Sequence, residues 1–274
     1  MRPRIICHMV SSVDGRLHSE RWTPIVASQE PGLLMRVYEQ TAERLGAQGW
    51  IVGRQTMQAM TNGSSHGAQP PSPLPRSPHL GQRNGRSLAV AVDPSGKLHY
   101  GADHVGGDHA VAILGEQVSD TYLQELRQDG VSYLFAGADG HDLAGALTTL
   151  GSSLGVDRLL LEGGGRINGA FLQAELIDEL SLLIYPGIDG LTGIPSIFDF
   201  HGQGEQVARC ACCLARPWRP ASSGCAITWN VCRPRLEQPW LEGVGSGARK
   251  ARVADGKPRL QAVTTASDSQ RLTR

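Results

Sequence analysis

The sequence is short of aromatic residues and of long apolar runs. Phe, Trp and Tyr together make up 5% of its 274 residues. A core must therefore come mainly from aliphatic side chains, and 34 glycines allow many close backbone approaches. No apolar run nears the ~20 residues of a membrane-spanning helix. The apolar stretch at 5–10, after Met1, Arg2, Pro3 and Arg4, is too short for a signal-peptide core, and no small-residue cleavage site follows it. The expectation is a soluble cytoplasmic protein with no membrane partner. A net bias of charge is also missing, with 26 basic against 26 acidic residues. Hydrophobic residues at 40% argue against wholesale disorder.

The even balance hides an asymmetry. Residues 207–274 hold 12 Lys or Arg against 4 Asp or Glu, whereas residues 1–206 hold 14 against 22. Cys7 stands alone, while Cys210, Cys212, Cys213, Cys225 and Cys232 crowd together. The reading is a domain over 1–206 and an irregular, basic tail over 207–274 that is rich in Cys, Arg and Pro. From 241 on, the tail is polar, small and expected to be disordered. Its arginines are scattered among Pro, Cys and Trp, unlike the clustered charge of a nucleic-acid arm, so no nucleic-acid partner is expected. Cys210 and Cys213 form one C-x2-C pair, but Cys225 and Cys232 are separated by six residues. That spacing suits zinc poorly, and no metal site is expected.

Within 1–206, short apolar runs of strand length lie at 5–10, 49–52, 88–92, 110–114, 131–135, 158–161 and 181–185. Helix faces alternate with them. Leu33, Leu34, Val37, Ala42 and Leu45 form one, and Tyr122, Leu123 and Leu126 a second behind a cap at Ser119 or Asp120. Leu143, Leu147, Leu150 and Leu154 form a third, and Ile167, Phe171, Ala174 and Ile177 a fourth. Such alternation predicts an α/β fold, a mostly parallel sheet with helices on both faces. Residues 68–86 read as a Pro-rich loop.

Three turns carry candidate chemistry. A buried strand runs into Glu162, Gly163, Gly164 and Gly165, then into a helix through Arg166, Ile167, Asn168 and Gly169. Glycines let a backbone approach a ligand, and a helix start offers free N–H groups to a phosphate. The pattern is not the G-x-G-x-x-G dinucleotide fingerprint. A second strand ends at Gly53, followed by Arg54 and Thr56, which suit a phosphate or a helix cap. The third turn is Ser11, Ser12, Val13, Asp14 and Gly15, with Trp22 in the polar loop beyond as a lid or stacking surface.

In this order, and with Leu176, Ile177, Asp178, Glu179 and Leu180 leading into a strand, these residues resemble the reductase domain of the riboflavin-biosynthesis deaminase/reductase. The resemblance covers about residues 3–206 and implies a dihydrofolate-reductase-like fold. It implies an enzyme that uses NADPH to reduce the ribose of a ribosylaminopyrimidine phosphate to a ribityl chain. By the same resemblance, Ser11, Thr56 and residues 164–170 contact NADPH, Trp22 lines the cofactor pocket and Glu162 contacts substrate. Glu162 and Asp14 are the carboxylates that would orient hydroxyls or pass a proton, and a homodimer is implied. Two positions depart from the family pattern. His8 stands where a lysine is frequent, and Met60 where an aspartate is frequent. No zinc-deaminase motif is present. The rival readings are a related oxidoreductase of another pterin or pyrimidine and a non-catalytic nucleotide or flavin binder.

The resemblance also bears on the tail. The family's last hairpin reads like Leu-Arg-Leu-Leu-Ser and then Trp-Leu-Arg-Tyr, and neither string occurs after Phe200. Codons regrouped by one base shift across 209–214 and 223–231 can encode both. The expectation is a frameshifted reading of the last strands, leaving the sheet without its edge strands.

Overall fold

The structure, a computed structural model, describes residues 1–22, 32–67 and 73–200, together with the backbone of Cys210–Trp218 and Ile227–Pro234. The expected tail beyond 241 lies outside the described residues, as does 68–72 of the Pro-rich loop.

The apolar runs become strands β1 (Arg4–Ser12), β2 (Gly49–Gly53), β3 (Leu88–Val92), β5 (Asp108–Leu114), β6 (Ser132–Phe135), β7 (Arg158–Leu161) and β8 (Glu179–Tyr185). A short β4 (His104–Val105) makes a hairpin with the start of β5. The order across the sheet is β4, β5, β3, β2, β7, β1, β8, then β10 (Ile227–Pro234) and β9 (Cys210–Trp218), with β6 also on β5. Since β3 covers one edge of β5 along its length, β4 and β6 share the other. All pairs from β6 through β8 by way of β5, β3, β2, β7 and β1 are parallel.

Side-chain alternation sets the layers. Leu88, Val90 and Val92 face one way, into a core with Leu143, Leu147 and Leu150 of α4 (Leu143–Leu154) and Phe171 of α5 (Gly165–Gln173). Ala89 and Ala91 face the other way, against Met57 of α2 (Arg54–Gln58) and Tyr122, Leu123 and Leu126 of α3 (Asp120–Asp129). Val37 of α1 (Leu33–Leu45) packs with Val10 and Leu183, on the opposite face of β1 from Ile5, Cys7 and Met9. Helices thus flank both faces. Ser119 caps α3 through Oγ, accepting from the Tyr122 amide at 3.1 Å. No helix among the described residues is long and apolar enough to cross a membrane.

Two expectations are corrected. The fourth helix face was to run to Ile177, but α5 ends at Gln173. Glu175 takes a left-handed φ of 56°, and the Leu176 amide turns back to the Phe171 carbonyl at 2.9 Å. Ile177 is buried, but from the loop. The edge of β8 is not bare either. β10 pairs with it antiparallel, Thr228 opposite Ile184 through Cys232 opposite Leu180, and β9 pairs with β10. Strand pairing uses backbone groups that any residue but Pro supplies, so it does not need the alternation missing from this segment. Pro217 lies on β9, the last strand in the order, where a lost N–H costs little.

Candidate active site

The chain runs outward through β1, β2, β3 and β5, then returns to insert β7 between β1 and β2. Ligand crevices of open α/β sheets form where the strand order reverses, outside the carboxyl ends of the strands. Two of the sequence-predicted turns meet there. The Gly53 amide donates to the Gly163 carbonyl at 3.1 Å, and the Glu162 amide donates to the Ile51 carbonyl at 2.9 Å.

The three glycines have separate uses. Gly163 has a φ of 92°, and a Cβ there would lie 2.8 Å from Met9 Cε. A Cβ on Gly165 would lie 2.2 Å from the Ser196 carbonyl oxygen, so α5 starts pressed against the 196–199 segment. Gly164 faces open space, with nothing within 4 Å of where its Cβ would sit. Asn168 is fully buried. Its Nδ2 donates to the Ile197 carbonyl at 2.9 Å, while Oδ1 has no partner among the described residues. Ile167 packs beside Gly53, and Arg166 is exposed.

Glu162 lines a cavity of about 330 Å³ with Tyr38 and Met35 of α1, Trp50 and Val52 of β2, and Thr56 and Met60. That volume is at the small end of ligand pockets. Burial pushes the Glu162 carboxyl up to about 7, the Tyr38 hydroxyl beside it pulls the other way, and the charge of Asp108 adds to the rise. Asp108 accepts from Trp50 Nε1 at 2.8 Å. The Tyr38 phenol is itself held well above its ordinary pKa, first by burial and then by Glu162. Its hydroxyl donates to the His8 carbonyl at 3.0 Å.

His8 supports Tyr38 from beneath. The two rings stack with centroids 4.2 Å apart. His8 Nε2 lies 3.1 Å from the Tyr38 carbonyl, which can only accept, so Nε2 carries the hydrogen. Nδ1 is then the acceptor for the Ser181 hydroxyl at 3.1 Å, on the residue opposite in β8. Burial lowers the His8 pKa, which keeps the ring neutral. Tyr38, Trp50 and Met35 were missed by sequence reasoning. Tyr38 sits one residue after Val37 on the inner side of α1, and a polar aromatic there was the available signal.

The other predicted residues take different positions. Ser11 is buried at the end of β1, its hydroxyl on the Ser12 carbonyl at 3.0 Å. Trp22 stacks on Tyr185 at the end of β8, centroids 4.9 Å apart, and its buried Nε1 has no partner among the described residues. Arg54 lies 3.9 Å from Asp93 Oδ1 at the end of β3. Asp14 is committed to its own loop. Oδ1 accepts from Ser12 Oγ at 2.6 Å and the Asp189 amide at 3.1 Å, and Oδ2 accepts from the Gly190 amide at 2.9 Å. These bonds hold its pKa well below the usual carboxylate range, and Asp14 does not line the Glu162 cavity.

For a nicotinamide cofactor the residues present fit. The open face of Gly164 and the start of α5 are the features such a ligand would use, and Trp22 Nε1 and Asn168 Oδ1 are buried polar atoms with no partner among the described residues.

The profile of the RibD C-terminal domain family matches residues 3–214. A search of curated proteins finds no match. Among solved structures, the chain is similar to a pyrimidine reductase-like protein from Corynebacterium diphtheriae, with 17% identity, a TM-score of 0.58, and 86% of this chain and 93% of that one covered. It is similar to the riboflavin biosynthesis reductase Rib7 of Saccharomyces cerevisiae, with 14% identity, a TM-score of 0.53, and 85% and 90% covered. A diaminohydroxyphosphoribosylaminopyrimidine deaminase/5-amino-6-(5-phosphoribosylamino)uracil reductase of Thermotoga maritima gives 16% identity and a TM-score of 0.50 over 85% of this chain and 57% of that longer one. At these identities the likeness to the solved structures is one of fold.

Proposed function

The chain belongs to the RibD C-terminal domain family, and we propose that it is an NADPH-dependent pyrimidine reductase of riboflavin biosynthesis. Its substrate on this reading is 5-amino-6-(5-phosphoribosylamino)uracil, with hydride delivered to the ribose C1′ and a ribityl chain as product. The observation that carries the reading is the position of Glu162, a half-buried carboxyl lining a cavity at the meeting of the two glycine turns, where burial raises its pKa to about 7.

The nicotinamide, when bound, supplies the hydride. Gly53, Arg54, Gly163, Gly164 and Gly165, with the start of α5 through Arg166, Ile167 and Asn168, are the residues that would hold the cofactor, with Ser11, Thr56 and Trp22 beside it. Hydride addition to C1′ of the open-chain imine leaves an electron pair on nitrogen, which takes a proton. A carboxyl with a pKa of about 7 is half protonated at neutral pH, well matched to supplying it. Tyr38, braced by neutral His8, lines the cavity beside that carboxyl. Asp14 accepts from the Asp189 and Gly190 amides and is itself held by the Ser12 hydroxyl, and its part is to position the 189–190 loop. The reading carries with it a homodimer in the cytoplasm.

A second reading, a reductase of another pterin or pyrimidine, is favoured by His8 and Met60, which replace a lysine and an aspartate frequent in the family. The test is NADPH oxidation by the purified chain with the phosphoribosylaminouracil against a panel of pterins. Turnover with the uracil supports the first reading, and turnover with pterins alone supports the second.

A further inference from the structure

A second cluster of ionisable side chains lies on α3 and shares no residue with the Glu162 cavity. Glu125 and Asp129 are four residues apart, so they share one face of the helix as like charges. Asp129 adds negative charge to the last turn, at the negative end of the helix dipole. Both are withdrawn from water, Glu125 at 1% exposure and the Asp129 side chain at 7%. A helix that breaks two local electrostatic rules in this way needs positive charge close by.

Two loops bring histidines to that face. A Cβ on Gly63 would lie 2.5 Å from the His99 carbonyl, and one on Gly101 would lie 3.2 Å from the Gly63 Cα. Only glycines allow the two backbones to touch, and the contact carries His66 and His99 over α3 together. His66 Nε2 lies 3.1 Å from Asp129 Oδ1, and His99 Nδ1 contacts Glu125 Oε1. Ser65 Oγ donates to Glu125 Oε2 at 3.1 Å, and the Gly101 amide donates to Asp129 Oδ2 at 2.9 Å.

We propose that His66, Glu125 and Asp129 form a binding site for a divalent transition-metal ion of the zinc class. One ligand atom from each lies within 4.8 Å of the others. Zinc–ligand bonds of about 2.0–2.2 Å in a tetrahedron put ligand atoms about 3.3–3.6 Å apart. The His66–Asp129 separation of 3.1 Å is close to such an edge. Two carboxylates balance a doubly charged ion. An imidazole among them selects the zinc class over magnesium or calcium, which prefer all-oxygen sets. His99 and Ser65 each hold one oxygen of Glu125 and the Gly101 amide holds Asp129 Oδ2, as outer partners of metal ligands do, and a carboxylate oxygen has a second lone pair for an ion. Three protein ligands leave a fourth position for water, and exposed His66 gives the ion its route in.

The test is equilibrium dialysis of Zn²⁺ and Co²⁺ against the full chain and against His66→Ala and Asp129→Asn, with melting followed in parallel. The five cysteines after residue 209 offer thiolates of their own, so the readout is the difference between wild type and variants. The expected result is one equivalent more in wild type, with a Co²⁺ spectrum for that equivalent free of thiolate charge transfer. Affinity at this site should fall at least tenfold in each variant, and zinc should raise the melting temperature of wild type alone. His66→Ala without metal should melt with wild type. Equal uptake in all three proteins, or none in wild type, overturns the proposal. So does a variant that lowers metal-free stability while uptake is unchanged, which is the signature of ion pairing alone.

Discussion

The Gly53 amide donates to the Gly163 carbonyl at 3.1 Å, so the turns after β2 and β7 are locked to each other. The bond joins two segments more than a hundred residues apart, and Glu162 follows directly from the strand it anchors. Substituting Gly164 and Gly165 in turn separates packing from binding.

Gly164→Ala meets open space and Gly165→Ala meets a carbonyl oxygen at 2.2 Å. The first should leave the melting temperature near wild type and lower cofactor affinity. The second should cost stability by about 1–3 kcal/mol, because the Ser196 backbone must move. Thermal melting and NADPH titration of both variants check this.

Glu162 predicts a pH dependence of known sign. Its folded pKa, about 7, lies above its ordinary 4.5, so burial disfavours the charged form. The native state keeps its proton where the unfolded state has lost it. Stability falls as pH rises from about 4.5 to about 7 and is flat above. Glu162→Gln should therefore gain about 2–3 kcal/mol over wild type above neutrality and nothing below pH 4.5. It should also lose activity by about a hundredfold or more. Urea melts across pH, beside rate profiles, measure both.

Arg54 sits 3.9 Å from Asp93, with its end still part exposed. If it meets the 2′-phosphate, Arg54→Ala should reduce preference for NADPH over NADH by about 1.5–3 kcal/mol, roughly ten- to a hundredfold. Equal affinities in wild type, unchanged in the variant, would remove Arg54 from that role.

The gene itself tests the frameshift reading of residues after 206. A one-base shift should spell Leu-Arg-Leu-Leu-Ser across 209–214 and Trp-Leu-Arg-Tyr across 223–231, with a stop near Cys232. A stop inside 209–231, or either string missing, contradicts it. The strands at Cys210–Trp218 and Ile227–Pro234 overlap those two stretches.

Much of the architecture was legible because apolar periodicity and its punctuation agree. Leu88 to Val92 read as a strand and are buried on both faces, and Ser119 both looked like a cap and is one. Where periodicity was silent, the reading failed. β4 is two residues long, and β9 and β10 carry no alternation, so backbone pairing alone makes them visible. Ile177 fitted a helical spacing, but the left-handed turn at Glu175 leaves no trace in a count of apolar positions. At the site, glycine turns announced themselves by composition. The stack of His8 under Tyr38 joins β1 to α1 across thirty residues, and nothing local encodes it.

The most direct test of the account is reduction of 5-amino-6-(5-phosphoribosylamino)uracil with NADPH deuterated at the transferring position, followed by mass and NMR analysis of the product. The expected product is a ribityl compound carrying one deuterium at C1′, formed by wild type and far more slowly by Glu162→Gln. NADPH bound but never oxidised, or a product without deuterium at C1′, would contradict it.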